Sequence, residues 1–387
     1  MFFSISKTPH YNFSHQHKLG PFVVGTDAGW TAYQHNQYTC LYKGYVDSAK
    51  IESVLTQILN QSEPELFGNF CVLAYNSVSK SIKIKSDRYR SFPIYFNSEQ
   101  VSNLNKLDST VWSDSVAEVT SDFLITQSKF NLIGHIDTDY TTIDEVVEKI
   151  DIILTKKTQD FLRYNDRPIR AFLSGGVDSL LVYSYLQKFS TEFELVSCQH
   201  VDYDSFWLKN SGTLTNLWSY NQIHHWISPC ILTSGTPGDE FMLRGPPTVN
   251  LFVRLHGQHM TDLLTQAKWQ SSLQHTYFNS SKNLTIFQND DPLPNWNRVQ
   301  MIWNLCNIVA NDWQHWHLGN TLTWTPLRDL EIFKLLLRLP VDAAMGQIMN
   351  SDISRRLIEK NCHGLSRVMS AQKNSGNAME NLVDLLV

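Results

Sequence analysis

A five-residue apolar run, Ile169-Arg170-Ala171-Phe172-Leu173, passes directly into Ser174-Gly175-Gly176-Val177-Asp178-Ser179, and that loop passes into a helically spaced apolar stretch from Leu180 to Leu186. A second apolar run, Phe193 to Cys198, follows. Strand, glycine loop, helix and strand in this order make a βαβ unit, whose strands run parallel with a right-handed crossover. The chain is therefore expected to contain a parallel sheet covered by helices. A strand-to-helix junction is also where backbone amides and the helix dipole converge on anionic oxygen. Gly175 and Gly176 let the backbone approach phosphates closely, and Ser174 and Ser179 offer hydroxyl donors. Asp178 would repel phosphate unless it holds Mg²⁺, whose preference for oxygen suits a carboxylate beside a triphosphate. A glycine turn in an ordinary α/β domain accounts for a bare Gly-Gly pair, but less well for six residues at this junction. The chain has no Gly-x-x-x-x-Gly-Lys-Ser/Thr loop, which excludes the Walker type of ATPase.

The first third reads differently. Leu66 to Asn76 is an apolar, aromatic run ending in a turn signal, and Ser81-Ile82-Lys83-Ile84-Lys85 alternates with period two, so the pair predicts a β-hairpin. Asp87 to Phe96 predicts a turn and a further strand, and Ile51 to Leu59 has helical spacing. Beyond Thr141, Thr142 is placed to cap a helix with Asp144 and Glu145 in its first turn, running towards Tyr164. Cys230 to Thr233 predicts a short strand ending at Ser234-Gly235, while Leu208 to Tyr220, Val299 to Val309 and Leu330 to Leu339 predict helices. At 387 residues, with 42% hydrophobic and 18% charged residues, the chain exceeds one ordinary core and predicts two soluble domains, residues 1–130 and 140–387.

Other classes lose support on composition. A net charge of −5 and the lack of a basic run disfavour a dedicated nucleic-acid binder. No segment approaches the ~18 apolar residues that span a bilayer, and Met1 to Lys7 lacks signal-peptide character, so a cytoplasmic location is expected. Six scattered cysteines encode neither a zinc knuckle nor a disulfide framework. His256-x-x-His259, His224-His225 and His315-x-His317 lack the carboxylate or cysteine companions of a metal site.

The loop Ser174 to Ser179 resembles the signature of the PP-loop ATP pyrophosphatases, and its neighbours resemble the asparagine synthetase-like branch. Ser234-Gly235-Thr236-Pro237-Gly238-Asp239-Glu240 looks like that branch's second glycine-acid loop, Thr325-Pro326-Leu327-Arg328-Asp329 like its Pro-Phe-Leu-Asp segment, and Gln372-Lys373-Asn374-Ser375-Gly376 like its late lysine loop. Phe67-Gly68-Asn69-Phe70 and Asp87 to Phe96 look like a glutaminase-type domain. The resemblance implies an N-terminal β-rich, Ntn-like domain and a C-terminal parallel-sheet domain of the adenine nucleotide α-hydrolase-like kind. It implies ATP and Mg²⁺ as cofactors, with Ser174, Gly175, Gly176, Asp178, Ser179, Ser234 and Gly235 binding nucleotide. Asp178 and Asp239 would hold the metal, and Lys373 would join them in catalysis. The implied reaction adenylates a small-molecule or peptide carboxylate, releases pyrophosphate, and joins the acyl group to an amine or ammonia, with a homodimer as a compatible assembly.

Departures from the pattern shape these expectations. Met1-Phe2 stands where glutamine-hydrolysing members carry a nucleophilic cysteine, so no glutamine hydrolysis is expected, as in relatives resembling β-lactam synthetases and lasso-peptide cyclases. Thr236 replaces an acidic residue or tyrosine, and Trp324-Thr325 replace the usual basic-apolar pair, which implies a remodelled acceptor pocket. Two alternatives stay open: a PP-loop enzyme modifying a tRNA or nucleobase, and a non-catalytic ATP-binding paralogue.

Overall fold

Strands that bury both faces need two cores, and the first block of the chain provides them. The computed structural model describes residues 3–8, 13, 15–59, 66, 68–87, 92, 94–102, 109–110, 115–129, 141–173, 176–190, 192–197, 229–235, 238–244 and 321–365. Strands β1 (Phe3–Ser6), β2 (His15–Leu19) and β3 (Phe22–Thr26) are followed by β4 (Thr31–His35), β5 (Tyr38–Val46), α1 (Ile51–Leu59), β6 (Gly68–Asn76) and β7 (Ser81–Ser86). Next come β8 (Tyr95–Phe96), β9 (Gln100–Ser102), β10 (Ser109–Thr110), β11 (Ser115–Val119) and β12 (Ile125–Lys129). They form two six-stranded antiparallel sheets, ordered β10-β8-β9-β1-β3-β2 and β12-β11-β7-β6-β5-β4. In β6, Cys71, Leu73 and Tyr75 face the first sheet, where Phe22 meets Tyr75 edge-on at 6.3 Å between ring centroids. The alternate residues Phe70, Val72 and Ala74 face α1 through Val54, Leu55 and Ile58. This double burial is why β6 reads as a continuous apolar run, whereas β7 alternates because Ile82 and Ile84 are buried and Lys83 and Lys85 only half-buried.

The second block opens with α2 (Ile143–Tyr164). Thr142 and Glu145 form a reciprocal capping box, and hydrogen bonds from the Thr142 backbone and the Thr141 and Thr142 hydroxyls hold the Glu145 carboxyl down at about 2. Then follow β13 (Ile169–Leu173), α3 (Val177–Phe189), β14 (Phe193–Ser197), β15 (Cys230–Thr233), α4 (Gly238–Phe241), β16 (Thr321–Trp324), α5 (Leu330–Leu337), α6 (Val341–Asn350) and α7 (Asp352–Asn361). The four strands are parallel, in the order β14-β13-β15-β16. Helix α3 buries Leu180 to Leu186 throughout, because β13, α2 and α7 pack around it. It starts at Val177, three residues earlier than the apolar spacing suggests. Gly176 is an extended N-cap, so the first helical turn takes in Asp178 and Ser179. Strand β16 has no counterpart among the sequence expectations. The helices expected at 208–220 and 299–309 lie outside the described residues.

One continuous core joins the two blocks. Tyr45 of β5 packs edge-on against Phe161 of α2 at 5.8 Å, and Phe161 stacks on Trp324 at the end of β16, 4.1 Å between centroids and 9° between planes. The Tyr45 hydroxyl donates to the Thr323 carbonyl at 2.7 Å, and the Asn69 amide donates to the same oxygen. Among the described residues no helix is long and apolar enough to cross a membrane.

Candidate functional site

In an open parallel sheet, ligands bind where the strand order reverses, at the carboxyl ends of the strands on either side. From β13 the chain crosses to β14 on one side and later returns to β15 on the other, so the reversal lies between β13 and β15. The glycine loop leaves the end of β13 and the Ser234-Gly235 segment leaves the end of β15. Topology alone thus brings the two loops that the sequence singled out to one place.

The packing between them is close enough to require glycine. A Cβ on Gly235 would collide with the Asp178 carbonyl carbon and the Ser179 nitrogen, and one on Gly238 would lie 2.5 Å from Asp178 Cγ. The second loop is held by Ser234 N–H donating to Trp324 O at 2.9 Å and Gly238 N–H donating to Gly235 O at 2.7 Å. Ser234 and Ser179 are both buried, and the Ser179 hydroxyl donates to Gly176 O at 2.8 Å, inside the first turn of α3. Ser179 therefore braces the turn that presents Asp178. Ser174, Gly175, Thr236 and Lys373 lie outside the described residues, and of Asp239 only the backbone, within α4, is described.

Asp178 carries a partner that no motif announced. The Arg244 guanidinium donates from Nη2 to Asp178 Oδ2 and from Nη1 to Ser351 Oγ at 2.8 Å, with both charged side chains only 14% exposed. Arg244 reaches back because Leu243, just after α4, takes a left-handed φ of 58°. A lone arginine behind an apolar tripeptide, Phe241-Met242-Leu243, gave no sequence signal.

The chemistry of the groups present is compatible with a magnesium nucleotide. Gly235 and Gly238 let the second loop close on Asp178 and Ser179, Gly176 is the extended N-cap of α3 and its first turn carries N-terminal amides, and Asp178 is an oxygen donor beside them. Mg²⁺ bound with a triphosphate needs only one or two carboxylates, its other ligands being phosphate oxygens and water. Among the described residues no group of three or more His, Cys, Asp or Glu gathers into a metal cluster.

The Thr325 to Asp329 segment sits at the junction of the two blocks. Asp329 caps α5 by accepting from Glu331 N at 2.8 Å and Ile332 N at 3.2 Å, and it takes an ion pair from Lys157 at 3.0 Å. Lys157 also lies 3.9 Å from Asp47. A small cavity here is lined by Asp47, Asn69, Lys157, Trp324, Thr325 and Arg328, among others. Burial pushes the Asp47 carboxyl up to about 6 against the opposing pull of Lys157 and the Trp324 indole N–H. The folded-state value is raised, so Asp47 contributes stability that is complete below about 4 and lost as the pH rises through about 6. Asp47→Asn, neutral throughout, is therefore expected to gain on the wild type by on the order of 2–3 kcal/mol between pH 4 and pH 7. Denaturant unfolding at the two pH values measures the difference, and a constant difference contradicts the assignment.

Compared with known protein families and curated proteins, the chain matches no family model and no curated sequence.

Proposed function

We propose that the chain is an ATP-dependent carbon–nitrogen ligase of the asparagine synthetase-like kind, forming AMP and pyrophosphate. In this reading residues 140–387 form a PP-loop domain and residues 1–130 a glutaminase-type, Ntn-like domain. The observation that carries it is the meeting of two glycine loops around Asp178 at the reversal point of a parallel sheet.

The site residues divide the work as follows. Gly176 and the first amides of α3 receive phosphate oxygens, with Ser174 and Gly175 completing the loop. Gly235 and Gly238 let the second loop close directly against Asp178 and the first turn of α3, so that both loops bound one site. Asp178 and Asp239 hold Mg²⁺, which when bound neutralises phosphate charge and eases departure of pyrophosphate. A substrate carboxylate then attacks the α-phosphorus, an acyl-adenylate forms, and an amine or ammonia displaces AMP. Lys373 supplies a mobile positive charge to the crowded phosphorus and then to the tetrahedral oxyanion. The nitrogen is supplied without glutamine hydrolysis. Cys40 and Cys71, the cysteines of the first block, are buried in strands, and burial pushes Cys40 up to about 11 and Cys71 well above the usual thiol range. Neither provides a thiolate nucleophile.

Isothermal titration of the full chain is expected to show one ATP site per chain whose affinity falls when Mg²⁺ is chelated. A chain that takes up no ATP with Mg²⁺ present contradicts the reading. A chain that binds ATP but never cleaves it supports the non-catalytic alternative instead.

A further inference from the structure

Arg244 is built into the site at a cost, and that cost needs a reason. Its two neighbours in the arrangement, Leu243 (φ 58°) and Ser351 (φ 59°), are both left-handed non-glycine residues. Such backbone is disfavoured for residues with a side chain, and strained positions cluster where geometry serves a site. Gln347, fully buried on α6, braces both turns at once: its amide donates to Met242 O at 2.7 Å, and its carbonyl accepts from Ile353 N at 2.9 Å. The result is a guanidinium fixed by one arm to Ser351 and laid by the other on Asp178.

That place on Asp178 is contested. Gly238 closes one side of the carboxylate and Arg244 holds Oδ2, so a cation that takes Oδ2 competes with the guanidinium for that oxygen. An arginine displaced from its carboxylate in so enclosed a site is costly unless it finds another anion. A triphosphate in this crevice supplies one, with the planar donor array that phosphate takes well. We propose that Arg244 is an exchangeable counter-ion and pyrophosphate-binding residue: it neutralises Asp178 in the nucleotide-free protein, yields that carboxylate to Mg²⁺, and turns to the β- and γ-phosphates of ATP. This inference rests on the nucleotide-binding reading of the site.

The two roles have opposite signs in one variant, which a merely structural arginine cannot reproduce. In Arg244→Gln, Mn²⁺ alone, followed by electron paramagnetic resonance, is expected to bind about tenfold more tightly, because Asp178 is released. Magnesium pyrophosphate and magnesium ATP are expected to bind about tenfold more weakly, while AMP, which lacks the contacted phosphates, binds unchanged. Arg244→Lys, which keeps the charge and is gentler on the fold, is expected to recover part of the pyrophosphate affinity. Equal losses for AMP, ATP and pyrophosphate, or Mn²⁺ affinity unchanged in both variants, overturn the proposal while wild-type ATP binding still supports the site. Failure of the wild type to bind either ATP or pyrophosphate overturns the proposal and the underlying reading together.

Discussion

Asp178→Asn is expected to lower ATP cleavage by a factor of about 10²–10³ while the protein still folds, the loss typical of removing a preorganised charge-stabilising group. Asparagine keeps the size of the side chain and an oxygen that accepts from Arg244, so the contact with the second loop survives in shape. What disappears is the charge that balances Arg244 and attracts Mg²⁺, and the weaker hydrogen bond costs about 1–3 kcal/mol of stability. Asp239→Asn is expected to behave alike, and the double variant to lose far less than the product of the single losses, because both residues serve one metal. Initial rates at saturating Mg²⁺, with melting curves as the control on folding, make the measurement. Turnover within about threefold of wild type would remove Asp178 from the mechanism.

The largest effect on stability is expected at Trp324. Its ring is 1% exposed, stacks on Phe161, and closes the junction at which Asp47, Lys157 and Asp329 meet. Trp324→Ala is expected to cost about 3–5 kcal/mol, from lost burial and the cavity left behind. The Ser234 N–H bond to Trp324 O is made by backbone and persists, so the damage comes from packing between the two blocks. Trp324→Phe keeps a stacking partner for Phe161 and is expected to recover much of the loss. Denaturant unfolding of the three proteins tests this, and a cost under about 1 kcal/mol for alanine would show that the junction contributes little to stability.

What the sequence disclosed of this fold follows the range of the forces involved. The capped helix α2, the β6–β7 hairpin and the β13-α3-β14 unit are local, and each carries its own signal in caps, turns and periodicity. Strand β16 is four residues, Thr321-Leu322-Thr323-Trp324, whose identity comes from pairing with β15, a strand about ninety residues earlier in the chain. The pairing of β1 with β9, Ser4 opposite Ser102, is equally non-local. In the site, the strand-to-helix junction was legible from its glycines, and Gly176 stands there as the extended N-cap of α3. The placement of Gly235 and Gly238 against Asp178 followed from strand order. Arg244 was not legible, since its place depends on the left-handed turn at Leu243 and on Ser351 and Gln347, more than a hundred residues away.

The proposed reaction requires cleavage of ATP between its α and β phosphates, driven by a carboxylate. It is tested most directly by phosphorus NMR of the products formed when the full chain, ATP and Mg²⁺ are incubated with carboxylates enriched in oxygen-18. AMP and pyrophosphate are expected to appear together, with one labelled oxygen carried into AMP, as attack on the α-phosphorus by a carboxylate requires. ADP and orthophosphate, or AMP without the label, would contradict the account.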